Sequence, residues 1–108
     1  MSFDLVLRRT TSEHVPEWDR HKFWDVYCDG LYLGSLAQQM GRSDEPPSWQ
    51  WSIQLHAGSF GNGVKPRSGQ AATRDEAMQA FRAAWDAIRP AIGDEGWALH
   101  VEHMRRLG

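Results

Sequence analysis

Residues 69–88, G-Q-A-A-T-R-D-E-A-M-Q-A-F-R-A-A-W-D-A-I, constrain the fold more than any other stretch of the chain. Thr73 and Glu76 stand in capping-box spacing, in which the threonine hydroxyl accepts the free N–H of Glu76 and the glutamate reaches back to the cap. Asp75 and Glu76 also place negative charge where the helix dipole is positive. At about 100° per residue, Ala77, Phe81, Ala84, Trp85 and Ile88 share one face, with Asp75, Gln79, Arg82, Asp86 and Arg89 opposite. A third stripe, Ala80, Ala83 and Ala87, is small enough for a second helix to approach closely. Pro90 disfavours helix at Arg89 and ends or kinks it there, so the spacing predicts one amphipathic helix over 73–89.

The partner of that helix is written upstream as sheet. Phe3, Leu5 and Leu7 alternate with Asp4, Val6 and Arg8, the period of a half-buried strand. Trp49, Trp51, Ile53, Leu55 and Ala57 alternate with Gln50, Ser52, Gln54 and His56, predicting a strand over 49–57 whose apolar row meets Phe81 and Trp85. Between them, residues 23–38 predict a hairpin around Asp29-Gly30, a pair that tolerates the positive φ values of a type I′ turn. An unbroken hairpin pairs Cys28 with Leu31, Tyr27 with Tyr32, Val26 with Leu33, Asp25 with Gly34, Trp24 with Ser35 and Phe23 with Leu36. One face then carries Trp24, Val26, Cys28, Leu31, Leu33 and Ala37, assigned to the core. The other carries Phe23, Asp25, Tyr27, Tyr32, Gly34 and Leu36, too apolar for an ordinary solvent-facing sheet.

The connections read as follows. Residues 10–22 are polar with Pro16 inside, a long loop that Trp18 is expected to anchor to the body. Residues 40–48 hold Gly41, Pro46 and Pro47 and read as a second loop. The glycine-rich run 58–69 is a flexible connection into a short extended Gln70-Ala71-Ala72. Gly93 marks a turn, and Asp94 can cap a second helix over 95–106: Trp97, Val101 and Met104 stand at helical spacing, while Leu99 fits an alternating strand better. The helix is the preferred reading over the strand, and it is expected to dock on the alanine stripe.

Length and charge narrow the function classes. A chain of 108 residues forms one domain, 1–108, with room for a core, and six Trp, four Phe and two Tyr supply much of it. Cys28 is the one cysteine, so neither an internal disulfide nor a cysteine metal pair is expected. The formal charge of −2 gives no general attraction to nucleic acid or anionic lipid. With no leader-like segment and no long apolar run, the expected location is the cytoplasm, without a membrane.

Three candidate sites remain. Lys65, Arg67 and Arg74 flank a glycine-rich loop before a helix start, where an anion or nucleic acid could be held, though no P-loop G-K-[ST] is present. His100 and His103 stand at i, i+3, but two imidazoles without an H-E-x-x-H motif make a poor metal site, and structural histidines are the preferred reading. No catalytic signature is legible, and no cofactor is expected. The second hairpin face, extended by Gln50 and Gln54 and the rest of the polar row of the next strand, forms an aromatic and amide-rich platform. It is covered either by its own chain or by another molecule.

W-x-W-x-I at 49–53, followed by G-x-A-A-T-R-D-E-A and F-R-A-A-W at 69–85, resembles a group of small uncharacterised bacterial proteins. The resemblance spans about the middle half of the chain and implies no activity and no site residues. The strand–strand–strand–helix order is also similar to that of double-stranded-RNA-binding domains and of the small DNA-binding domain of phage-type integrases. Where the former carries paired lysines at its helix start, this chain has Asp75 and Glu76. The strand that would read DNA in the latter offers Gln50 and Gln54 and few basic residues, so phosphate neutralisation would be weak.

The expectation is therefore an α+β domain, with an antiparallel sheet of about four strands in β-β-β-β-α-α order under one main helix. The expected function is a non-catalytic protein-interaction module using Phe23, Tyr27, Tyr32, Leu36, Gln50 and Gln54, with a second copy or another protein as partner. The alternative is nucleic-acid binding through Lys65, Arg67 and Arg74.

Overall fold

The structure, a computed structural model, describes residues 5–11, 13–39, 44 and 46–107. It is an α+β arrangement: β1 (Leu5–Arg9), β2 (Phe23–Cys28), β3 (Leu31–Gln39), β4 (Ser48–Ile53) and β5 (Ser68–Ala71) precede one long helix, α1 (Arg74–Leu107). The strands form a single antiparallel sheet in the order β1-β2-β3-β4-β5, so every strand pairs with its neighbours in sequence. The fifth strand grows out of the extended Gln70-Ala71 segment and pairs along β4, with Gln50 opposite Gln70 and Trp51 opposite Gly69. Phe3, expected in the first strand, and most of the 40–48 loop lie outside the described residues.

The β2–β3 turn has the expected backbone, with φ of 52° at Asp29 and 77° at Gly30. Cys28–Leu31 and Tyr27–Tyr32 pair as expected, but the next pair is Val26–Gly34, followed by Asp25–Ser35, Trp24–Leu36 and Phe23–Ala37. Leu33 is the extra residue of a β-bulge, and side chains beyond it exchange faces relative to an unbroken strand. Leu36 and Gly34 therefore turn into the core rather than onto the second face, and Ala37 turns out of it. Leu36 has 0 % of its surface exposed.

The core lies between the sheet and α1. Val26, Cys28, Leu33, Leu36, Trp51, Ile53, Leu55 and Ala57 meet Ala77, Phe81, Ala84, Trp85, Ile88 and Ile92. Trp51 packs edge-on against Phe81 with ring centroids 6.2 Å apart. β4 stops at Ile53, short of the expected end, although Leu55 and Ala57 still point into the core and Gln54 N–H reaches the Leu33 carbonyl at 2.7 Å. The residues that follow turn into a short 3₁₀ helix, Gly58–Gly61.

At the helix start, the Thr73 hydroxyl accepts from Glu76 N–H at 3.1 Å. The helix does not end at Arg89. It runs through Pro90 and breaks at Gly93, whose φ of 68° and ψ of −178° belong to a region open essentially to glycine alone. Asp86, whose carbonyl loses its amide partner at Pro90, lies on the exposed side, where a carbonyl is open to solvent. The second arm, 94–107, does not dock on the alanine stripe: Ala83 and Ala87 are exposed. It packs instead on the Gly58–Gly61 turn, bringing Gly96 against Phe60, and on the first arm through Trp85 and Trp97, centroids 5.8 Å apart.

The loop after β1 contains a second 3₁₀ helix, Glu17–Lys22. Trp18 does not anchor it; the residue stands 76 % exposed. The loop is tied down by its neighbours: Trp24 Nε1 donates to the His21 carbonyl at 2.9 Å, and Arg20 Nε to that of Val15 at 3.2 Å. No helix among the described residues is long and apolar enough to cross a membrane.

Candidate interaction surface

Helix α1 occupies one face of the sheet, and strand pairing defines what lies on the other. Directly opposed residues share a face, so the register places three rows on the side away from α1. The first is Val6–Tyr27–Tyr32, the second Arg8–Asp25–Ser35–Ser52–Ser68, and the third Phe23–Ala37–Gln50–Gln70. Of the residues expected there, Phe23, Tyr27, Tyr32 and Gln50 are brought together. Gln54 joins them just beyond the end of β4, where its Nε2 donates to Ser52 Oγ at 3.3 Å. Leu36 is withdrawn into the core by the bulge. The residues that replace it, Ser35 and Ala37, have small side chains that leave a flat centre.

The surface is held together by its own bonds. The Tyr27 and Tyr32 rings meet edge to face, with centroids 6.2 Å apart, and the Arg8 guanidinium lies 5.4 Å from the Tyr27 ring centre. Ser35 and Ser52 hydroxyls lie 3.5 Å apart, and Gln39 Nε2 donates to Gln50 Oε1. Partial burial raises the Asp25 carboxyl above the ordinary aspartate value. It also raises the Tyr32 phenol, which a hydrogen bond from Ser35 lowers in part and the Asp25 charge raises further. An aromatic corner thus adjoins a lattice of hydroxyls and amides with one cation and one anion. Arg8, Ser35, Ala37, Gln39, Ser68 and Gln70 were not singled out from the sequence. Leu33 and Leu36, three apart with Gly34 between them, carry the signal that would have found the first-order change, because two core residues cannot stand three apart in an unbroken strand.

The basic loop is arranged differently. Residues 61–68 line a cleft of about 560 Å³. Arg67 folds back across the loop, its Nη2 donating to the Gly61 carbonyl and its Nε to that of Val64 at 3.3 Å. Arg74 lies 4.5 Å from the Trp24 ring centre and 3.8 Å from Asp75. Lys65 is exposed beside the cis Lys65–Pro66 bond. Two of the three cations are therefore engaged with the protein itself.

His100 is fully buried, with both ring nitrogens bonded, and His103 stacks on His56 with centroids 3.8 Å apart. Among the described residues, no group of three or more His, Cys, Asp or Glu is placed to hold a metal ion. Comparison of the chain with protein-family models, with curated proteins and with solved structures finds no match.

Proposed function

We propose that this protein is a non-catalytic interaction module whose contact surface is the sheet face opposite α1. The observation that supports this reading is the composition of that face. Its three rows combine Phe23, Tyr27 and Tyr32 with Ser35, Ser52, Gln50 and Gln70, and offset one arginine with one aspartate. Tyrosine-rich, charge-poor surfaces carrying hydroxyls and amides with remaining donor and acceptor capacity suit protein contacts, where aromatic side chains give area at low entropic cost. The same balance suits phosphate backbones poorly, since those demand several unpaired cations.

A second copy of the chain is the first partner to test, because hydroxyls and amides both donate and accept and so can pair with their own kind across a two-fold axis. Light scattering from micromolar to millimolar concentration is expected to show a monomer–dimer equilibrium. Tyr27→Glu or Tyr32→Glu is expected to weaken it by about 2 kcal/mol, roughly thirty-fold, without altering the circular dichroism spectrum. A chain that stays monomeric, with Tyr27, Ser35 and Gln50 amide signals independent of concentration, removes the self-association reading.

A further inference from the structure

The second arm of α1 is attached to the sheet through one buried side chain. His100 has 0 % of its surface exposed and bonds across the molecule at both ring nitrogens. Its Nε2 lies 3.1 Å from the Tyr32 carbonyl oxygen of β3, and its Nδ1 lies 3.1 Å from the backbone nitrogen of His56. A carbonyl only accepts and a backbone N–H only donates, so this geometry fixes the neutral tautomer with hydrogen on Nε2. A proton added at Nδ1 would point at the His56 N–H and break that bond.

We propose that His100 is a protonation latch that holds residues 94–107 against the sheet at neutral pH and releases them in acid, with Gly93 as the pivot. The surroundings offer a new charge the Tyr32 carbonyl dipole but no uncommitted anion. The ring of His56, from the segment after β4, stacks 5.8 Å from His100 on one side, and His103 of the arm stacks on His56. Trp97 stacks at 5.3 Å, and beyond it Arg89 lies 5.6 Å from the Trp97 ring centre. The nearby carboxylates are committed elsewhere: Asp94 bonds Arg89 at 3.0 Å and Glu102 bonds Arg106 at 2.6 Å. From β3 comes only the Tyr32 carbonyl, while the Asp25 charge acts on the Tyr32 phenol on the opposite face.

Burial, then the neighbouring histidines, hold His100 below the ordinary histidine value, partly offset by the Tyr32 carbonyl; burial and His103 do the same for His56. For a base whose folded value is lowered, the released state binds protons first. Docking is therefore complete above the ordinary histidine pKa of about 6.5 and is lost as pH falls below it. Release would uncover Trp97 and enlarge the already exposed surfaces of Leu99 and Phe60, since Leu99 now reaches within 3.3 Å of where a Cβ on Gly58 would stand, and Gly96 packs on Phe60.

The test is amide hydrogen exchange at neutral pH and at about pH 5, corrected for intrinsic rates. Amides of 94–107 are expected to lose protection by up to about thirty-fold per histidine, the ceiling set by an unperturbed pKa near 6.5. Those of β2–β4 and of 74–92 are expected to keep theirs. In His100→Gln, which keeps a donor and an acceptor but cannot titrate, arm protection is expected to lose most of this pH dependence. Should that variant not fold, the imidazole proton signals of the unaltered chain decide: His100 is expected to titrate below the ordinary value, together with loss of arm protection. Equal arm protection at both pH values overturns the latch. So does simultaneous loss from sheet and arm, or a His100 ring that titrates normally while the arm stays docked.

Discussion

A side chain on Gly34 would have nowhere to go, because a Cβ built there would clash first with the Ser52 carbonyl oxygen of the neighbouring strand and then lie 2.8 Å from Cε2 of Phe81. At the residue after the bulge, the neighbouring strand and the helix face leave room only for hydrogen. Gly34→Ala is expected to destabilise the fold by about 1–3 kcal/mol, the usual cost of overpacking, read as a shift in the urea midpoint. The same residue explains what was legible in the chain and what was not. Trp51 and Ile53 obey a period of two and took their core places as read. Leu36 did not, because one inserted residue at Leu33 reverses every assignment beyond it, and pairing propensity alone does not locate an insertion. The aromatic corner survived because Tyr27 and Tyr32 lie on the turn side of the bulge. Trp18 was misread for a different reason: a tryptophan in a polar loop carries no periodicity to say what it faces.

At the scale of elements, the interruption expected at Pro90 is absent and the helix breaks at Gly93, where a turn was expected. Pro90 lies on a solvent-facing turn of α1, where the carbonyl it leaves unbonded is open to solvent, and the helix continues. Gly93 makes the break with a backbone conformation that a Cβ opposes, and Arg89 braces it by bonding Asp94 across the gap. Gly93→Ala is expected to cost about 1–3 kcal/mol in thermal or chemical unfolding. Because the strain is relieved by straightening the helix, the loss should appear first as reduced exchange protection of 94–107. The spacing of Trp97, Val101 and Met104 favoured a helix there over the strand that Leu99 fitted better, and the chain is helical from 94 to 107. The docking partner was not readable, since it depends on His100 reaching Tyr32 and His56, residues 68 and 44 positions away.

Over the whole molecule, the charge distribution bears on the two proposed binding readings. The formal charge is −2, and Arg67 and Arg74 are spent on the loop and on Trp24. Fluorescence anisotropy with short duplex DNA or RNA is expected to show no binding at micromolar protein and physiological ionic strength, and Lys65→Ala to change nothing. The radius of gyration, 14.5 Å, exceeds the roughly 13 Å of a compact chain this long, as a 34-residue helix broken only once would require. The strictly sequential strand order has a consequence for how the molecule is made. Each hairpin can close as soon as its second strand leaves the ribosome, because no strand waits for a distant partner. The helix that shields Leu36, Trp51 and Ile53 is synthesised last, so the nascent sheet presents its greasy side bare until residues 74–92 emerge. During that interval the chain is most exposed to misassembly and to capture by chaperones.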